Sequence, residues 1–182
     1  MMSRQRHHLV RGLFLSGAIA CATVLLAATP AKTNTSDLSA SAQRTLDRFY
    51  AQNPENRTAV QKAKAVLVFP DIGNASAGGT ANEGVLKVGE KTDGVYRITG
   101  ASGAGQHSAI LLFNAKARDR FGGKKEWTVG SDLNVVAGQE GKPPAGAGKE
   151  GVLEPVTAYV FDARGPVAHD SLHGAKITRV QW

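Results

Sequence analysis

The chain contains a single cysteine, Cys21, in 182 residues. It lies within an apolar N-terminal stretch, so everything downstream lacks a thiol for disulfides, redox chemistry or thiolate metal ligation. Aromatic residues are also scarce, at 6%. A nucleic-acid surface built from basic clusters interleaved with aromatics is not present. No acidic residue occurs in the first 31 positions, and the longest apolar run, Gly12 to Ala28, spans 17 residues. That is the short limit for a membrane-crossing helix. Glycine is plentiful instead, at 21 residues, which suits a β-rich domain with tight turns better than a helical bundle.

The first 31 residues, "MMSRQRHHLVRGLFLSGAIACATVLLAATPA", combine Arg4, Arg6 and Arg11 with an apolar run and small residues before Lys32. This is the build of a secretory signal peptide with cleavage between Ala31 and Lys32. Cys21 carries a rival reading, in which it becomes a lipidated N-terminus. Against it, Ala18 stands where such signals place Leu, and the apolar run continues beyond Cys21 through "ATVLLAA". An uncleaved anchor is the third reading. With the leader set aside, 19 basic residues face 15 acidic ones, a net charge of +4. That mild excess permits attraction to anionic lipid or acidic protein surfaces. Export would place the protein in the periplasm or at the outer membrane, with anchoring through Cys21 as the alternative.

After a polar tether at residues 32–37, Leu38, Ala42, Leu46 and Phe49 recur at helical spacing and predict an amphipathic helix. Ser36 or Asp37 supplies its cap, and Asn53-Pro54 its stop. A second short helix is expected from Pro54 to about Ala63. The period then changes. "AVLVFP" predicts a buried strand closed by Pro70, and "EGVLKVG" with "GVYRITG" predicts a hairpin around "EKTD", with Gly89 and Gly94 at the corners. "SAILLF" predicts another buried strand. "NAKARDRFGG" predicts a short helix capped by Asn114 and stopped at Gly122-Gly123. "EWTVGSDLNVVAG" reads as strand, and the sequence after Glu154 as two or three more, turning at Gly165 and Gly174. The expected class is α+β: a mainly antiparallel sheet, curled towards a barrel, with N-terminal helices and one short inserted helix.

Catalytic and cofactor motifs fail on spacing. "PPAGAGKEG" has Pro143 and Glu150 where a phosphate-binding loop needs Gly and Ser or Thr. "GASGAGQ" lacks dinucleotide spacing and reads as a β connection. His169 and His173 could share a metal only on a helix, and their surroundings read as strand or turn. Ser102 and His107 lack a nucleophile-elbow pattern. Asp119 with Glu126, and Asp162 with Asp170, fit solvated charge. Trp182 ends the chain as an aromatic ends many outer-membrane barrels, but the strands here are too short and too uniformly apolar. No cofactor, no metal and no nucleic-acid partner is expected, and the reading is non-enzymatic.

The order of "AKAVLVFP", "GG" at 78–79, "EGVL", "YRITGAS", "ILLF", a helix ending in "RF", "WTVGSDLNVV" and "GAKITRV" resembles the SYLF domain family. The resemblance runs from about Leu38 to the C-terminus. It implies a compact β-rich domain that binds membranes, through phosphoinositides in eukaryotic members, with actin binding in some. For secreted bacterial members it implies envelope or lipid association. Its motif residues here are Pro70, Gly78, Gly79, Gly84, Gly100, Ser102, Gly130, Gly174, Lys176 and Thr178, expected to be structural, with the Gly78-Gly79 pair serving a close backbone approach or a bulge, or else lying in a flexible surface loop. Two segments depart from the pattern. "DIGNASAGG" replaces a more apolar stretch, and an aromatic-containing insert after "GAS" is missing, together with any lipid contact that it makes.

The residues offered for lipid binding are basic. Arg44 and Arg48 share one side of the first helix, and such a helix can lie on a bilayer or pack on the sheet with its arginines in water. Lys116, Arg118, Arg120, Lys124 and Lys125 form the densest positive segment, diluted by Asp119 and Glu126. It reads either as a membrane contact or as a solvated helix face. The expected function is association with anionic envelope lipid. The alternative is an envelope protein-interaction module without a lipid ligand, with actin less favoured.

Overall fold

The computed structural model describes residues 35–73, 82–101, 105–133, 135–139, 156–164 and 171–180. The chain divides into two units, Met1–Pro30 and Ala31–Trp182, and all described residues belong to the second.

Two helices open this unit. Helix α1, Thr35–Gln52, buries the predicted stripe of Leu38, Ala42, Leu46 and Phe49, and Thr45 with it. Helix α2, Pro54–Lys62, starts at Asn53, whose side chain accepts from Glu55 N at 2.9 Å. Pro54 at the first turn sacrifices an N–H that has no partner there in any helix. Buried Asn56 donates from Nδ2 to the Phe49 carbonyl at 2.8 Å, which ties α2 back onto α1.

Among the described residues eight strands follow: β1 (Ala65–Ile72), β2 (Glu83–Val88), β3 (Lys91–Thr99), β4 (Gln106–Phe113), β5 (Glu126–Thr128), β6 (Val135–Gln139), β7 (Val156–Arg164) and β8 (Lys176–Arg179). Helix α3, Ala115–Gly122, separates β4 from β5. The strands form one sheet in the order β5-β8-β3-β2-β1-β4-β7-β6. Every pair is antiparallel except β6 with β7 at one edge. The protein is therefore α+β, and the sheet curls into a half-barrel.

Both faces of this sheet are covered, which explains why antiparallel strands carry nearly continuous apolar runs rather than the alternation of a one-sided sheet. Val66 and Val68 of β1 and Ile110 and Leu112 of β4 pack under α1 with Phe49, Tyr159 and Phe161. The intervening residues Ala65, Leu67, Phe69, Leu111 and Phe113 face α3, where Phe121 meets Tyr96, Phe113 and Trp127 at ring distances of 4.8–5.3 Å.

Five expectations from sequence need correcting. Helix α1 begins at Thr35, so residues 35–37 are helical rather than tether, and Ser36 and Asp37 lie inside the first turn rather than at the cap. Pro70 does not close β1, which continues through an irregularity between Phe69 and Ile72. A proline is tolerated inside a strand at such a bulge. The hairpin turns at Gly89-Glu90 rather than at "EKTD", with Gly89 at φ +60°. Gly94 is no corner: it lies within β3, opposite Leu86. "EWTVGSDLNVVAG" is not one strand but β5 and β6, which lie at opposite edges of the sheet. Between them, the Asp132 carboxylate accepts from Thr128 N at 2.9 Å and from Lys124 Nζ at 3.0 Å. These bonds favour its charged form and hold its carboxyl below the usual value.

Candidate functional site

The most distinctive construction sits at the end of β4 that opens with Gln106. On one flank, β1 pairs Phe69 with Ala109 and Ile72 with His107, so Pro70 and Asp71 together oppose Ser108 alone. On the other flank, β7 pairs Phe161 with Ser108 and Arg164 with Gln106, so Asp162 and Ala163 together oppose His107. Both neighbours of one strand thus carry an extra residue at adjacent positions. A bulge shifts the alternation of side chains and re-aims those around it. In β1 the shift places Ile72 rather than Asp71 in the core beside Phe69.

Local hydrogen bonds hold both irregularities. Ser108 Oγ donates to the Pro70 carbonyl at 2.8 Å, Asn82 N donates to the Asp71 carbonyl at 2.8 Å, and Gly73 N donates to Asn82 Oδ1 at 3.1 Å. They occupy backbone groups that the broken ladder leaves without strand partners. On β7, Asp162 adopts φ +54°. The left-handed region costs an L-residue about 1–2 kcal/mol, with Asp and Asn among its commoner occupants. Arg48 reaches from α1 to Asp162, Nε to Oδ2 at 2.7 Å, and Gln52 adds a contact to Oδ1 at 3.5 Å.

Together these elements enclose a cleft of about 510 Å³ lined by Arg48, Pro70, Asp71, Gln106, His107, Ser108, Asp162, Ala163 and Arg164. Among the described residues, the lining holds two guanidinium groups and two carboxylates, whose fixed charges sum to zero. Arg48 and Asp162 neutralise each other. Arg164, Asp71 and the Gln106 amide have no side-chain partner among the described residues. His107 is only 4% exposed, and neither ring nitrogen has a hydrogen-bond partner among the described residues. Burial pushes its pKa below the ordinary 6.5. The Gly105 carbonyl and the Asp71 carboxylate oppose that shift, the carbonyl from outside hydrogen-bonding geometry. His107 therefore takes up a proton less readily than a free imidazole, and no serine hydroxyl among the described residues bonds to its ring. Ser102 lies outside the described residues.

The basic residues offered for lipid binding fall into two separate groups. Arg44 and Arg48 belong to α1, on the face bearing Val66 and Val68, whereas α3 packs on the opposite face. Arg44 donates to Ser41 Oγ at 2.8 Å, and Arg48 divides its donors between Asp162 and Thr45. On α3, Lys116 and Arg120 are exposed one turn apart, and exposed Lys125 follows the helix. None of these three makes an ion pair among the described residues. Arg118 contacts adjacent Asp119 at 3.5 Å. Lys124 is committed to Asp132 and lies 5.1 Å above the Trp127 ring. Five candidate cations thus reduce to three free ones.

The structure places several of the motif residues. Pro70 belongs to the β1 bulge. Gly84 is obligatory by contact, since a Cβ there would stand 2.5 Å from Phe69 Cδ1 and 2.7 Å from the Val68 carbonyl. Gly100, Gly130 and Gly174 all have positive φ. Gly174 does so at the turn entering β8, where an L side chain would be strained. Lys176 pairs with Glu126 at 3.1 Å, and Thr178 stands between Arg97 and Glu126 in the ladder. Gly78, Gly79, Ser102, Cys21, Ala31 and Lys32 lie outside the described residues, as do His169 and Gly165.

Among the described residues, no three His, Cys, Asp or Glu side chains converge on a point that could hold a metal. No described helix is long and apolar enough to cross a membrane. No protein-family model matches the chain, and no curated protein matches it.

Sequence reasoning passed over Asp71, Gln106 and Arg164, and treated Asp162 as solvated charge. The signals were Pro70 within an apolar strand and Asp162 within "YVFDAR", residue types that strand interiors disfavour.

Proposed function

We propose that this protein is an exported, SYLF-type domain that acts by binding rather than catalysis, and that it attaches to anionic envelope lipid through the α3 surface. The observation that carries this reading is the set of unpaired cations Lys116, Arg120 and Lys125, exposed on and just after one short helix. At about 1 kcal/mol for each basic group near an anionic surface, three give weak, reversible attachment. The ordered SYLF-like motifs and the leader-like N-terminus support the same reading. Arg44 and Arg48 are dropped from the surface because internal bonds engage both. Co-sedimentation with phosphatidylglycerol and with phosphatidylcholine vesicles across a salt series tests it, the quantity of interest being the difference between the two lipids. Binding confined to anionic vesicles, falling as salt rises and lost in the Lys116→Glu, Arg120→Glu, Lys125→Glu triple variant, is expected. Equal sedimentation with both lipids would move the reading to a protein partner in the envelope.

A further inference from the structure

The cleft between the two bulges has no part in the lipid reading. Three observations single it out as a built feature. Two neighbouring strands each place an extra residue against the same end of β4. A non-glycine residue, Asp162, is held in the left-handed region within it, and observed backbone strain of this kind concentrates at functional sites. A cation from a different element, Arg48, spans to that strained residue. The β1 bulge also seats Ile72 in the core, but the β7 bulge and the Arg48–Asp162 pair add nothing to the apolar cover that α1 supplies through Leu38, Ala42, Leu46 and Phe49.

The chemistry of the lining selects among ligands. Its volume, about 510 Å³, falls within the range of about 300–1,000 Å³ typical of small-molecule sites. Among the described lining residues only Pro70 and Ala163 carry apolar side chains, and an apolar ligand would strand Asp71, Gln106 and Arg164 without water. An isolated anion drawn to Arg164 would also face Asp71, and a cation drawn to Asp71 would face Arg164. A hydroxyl group escapes both conflicts because it donates and accepts at once. It can donate to Asp71 and accept from Arg164 or the Gln106 amide with no net charge to desolvate.

We propose that this cleft binds an uncharged, hydroxyl-rich ligand of about disaccharide size, with Asp71 as acceptor and Arg164 and Gln106 as donors. Arg48 and Asp162 act as a positioning pair that fixes the cleft's far wall. The site is independent of the α3 surface, so membrane attachment and ligand binding fail separately.

The test is NMR on the purified protein with maltose, cellobiose and N,N′-diacetylchitobiose, against glycine and inorganic phosphate as zwitterionic and anionic probes. The His107 ring signal, assigned by its loss in His107→Gln, reports from the cleft wall. At least one disaccharide should shift that signal saturably at millimolar concentration. Asp71→Asn and Arg164→Gln should each weaken binding tenfold or more with unchanged melting temperature. Among the described residues neither replaced group has a hydrogen-bonded or ion-paired side-chain partner, and Arg164→Lys, which keeps the charge but loses the planar fork, gives a second reading at that position. Stronger binding of glycine or phosphate than of every disaccharide would overturn the ligand class. No shift with any probe, or disaccharide binding undiminished in both variants, would overturn the site.

Discussion

Helices α1 and α3 lie on opposite faces of the sheet, and both carry closely spaced basic residues, yet they use them differently. On α1 the arginines are engaged inside the molecule: Arg44 with Ser41, and Arg48 with Asp162 and Thr45. On α3, Lys116 and Arg120 meet no partner among the described residues. The difference follows from what each helix lies beside. Helix α1 passes the rim where β7 bulges and presents Asp162. Helix α3 is only eight residues long, with Ala117 and Phe121 as its buried anchors. Basic spacing on a helix therefore says little about availability, which the neighbouring strand decides.

The sharpest way to break this contrast is to remove the anchor of each helix. Phe121→Ala and Phe49→Ala should each cost about 3–5 kcal/mol, as large-to-small core changes do, measured by urea unfolding. Phe49→Ala leaves α1 docked through Leu38, Ala42 and Leu46, whereas Phe121→Ala leaves α3 with Ala117 alone. Only the second should also abolish binding to anionic vesicles. Next in size, replacing Lys116, Arg120 and Lys125 together by Gln should weaken that binding by about two orders of magnitude, at roughly 1 kcal/mol per group. Stability should hardly move, and the circular dichroism melt of the variant checks this.

A smaller effect separates the cleft rim from both helices. The pKa of His107 is lowered by folding, so in mildly acidic solution the unfolded chain takes up the proton more readily than the folded one. Its contribution is fully present above the unfolded value of about 6.5 and is lost as pH falls below it. Unfolding midpoints between pH 8 and pH 5 should fall more steeply for the wild type than for His107→Leu. At pH 8 the variant should lie within about 1 kcal/mol of the wild type or above it, because both unpartnered nitrogens go with the ring. Smallest of all, Arg48→Ala should cost under about 1 kcal/mol, as pairs this exposed do, and leave vesicle binding unchanged. A loss of binding there would erase the distinction between the two helices.

Much of the architecture was legible because periodicity reports burial. The spacing of Leu38, Ala42, Leu46 and Phe49 places α1, and Asn114 places the start of α3, where its Oδ1 accepts from Ala117 N at 2.9 Å. The hairpin turn was misplaced because the bulge between Leu86 and Lys87 shifts the pairing, and a bulge has no spacing signature of its own. The same physics hid the cleft. Pro70 and Asp162 hint at irregular strands in sequence, but only pairing on both sides of β4 brings Asp71 and Asp162 to one rim with Arg164. The free cations of α3 were visible as residue types. Their separation from Lys124 was not, because Asp132 becomes its partner only once the chain turns after β5.

That turn also governs the shape of the sheet. Strands β5 and β6 border opposite edges, yet Thr128 and Val135 are seven residues apart in the chain. Seven residues reach at most about 25 Å when fully extended. Crossing seven strand spacings of a flat sheet requires about 33 Å. The segment is therefore a drawstring: it is too short to let the eight strands lie flat, and its length alone obliges the sheet to close towards itself. Lengthening it with a few glycines would slacken the half-barrel without altering a single core residue.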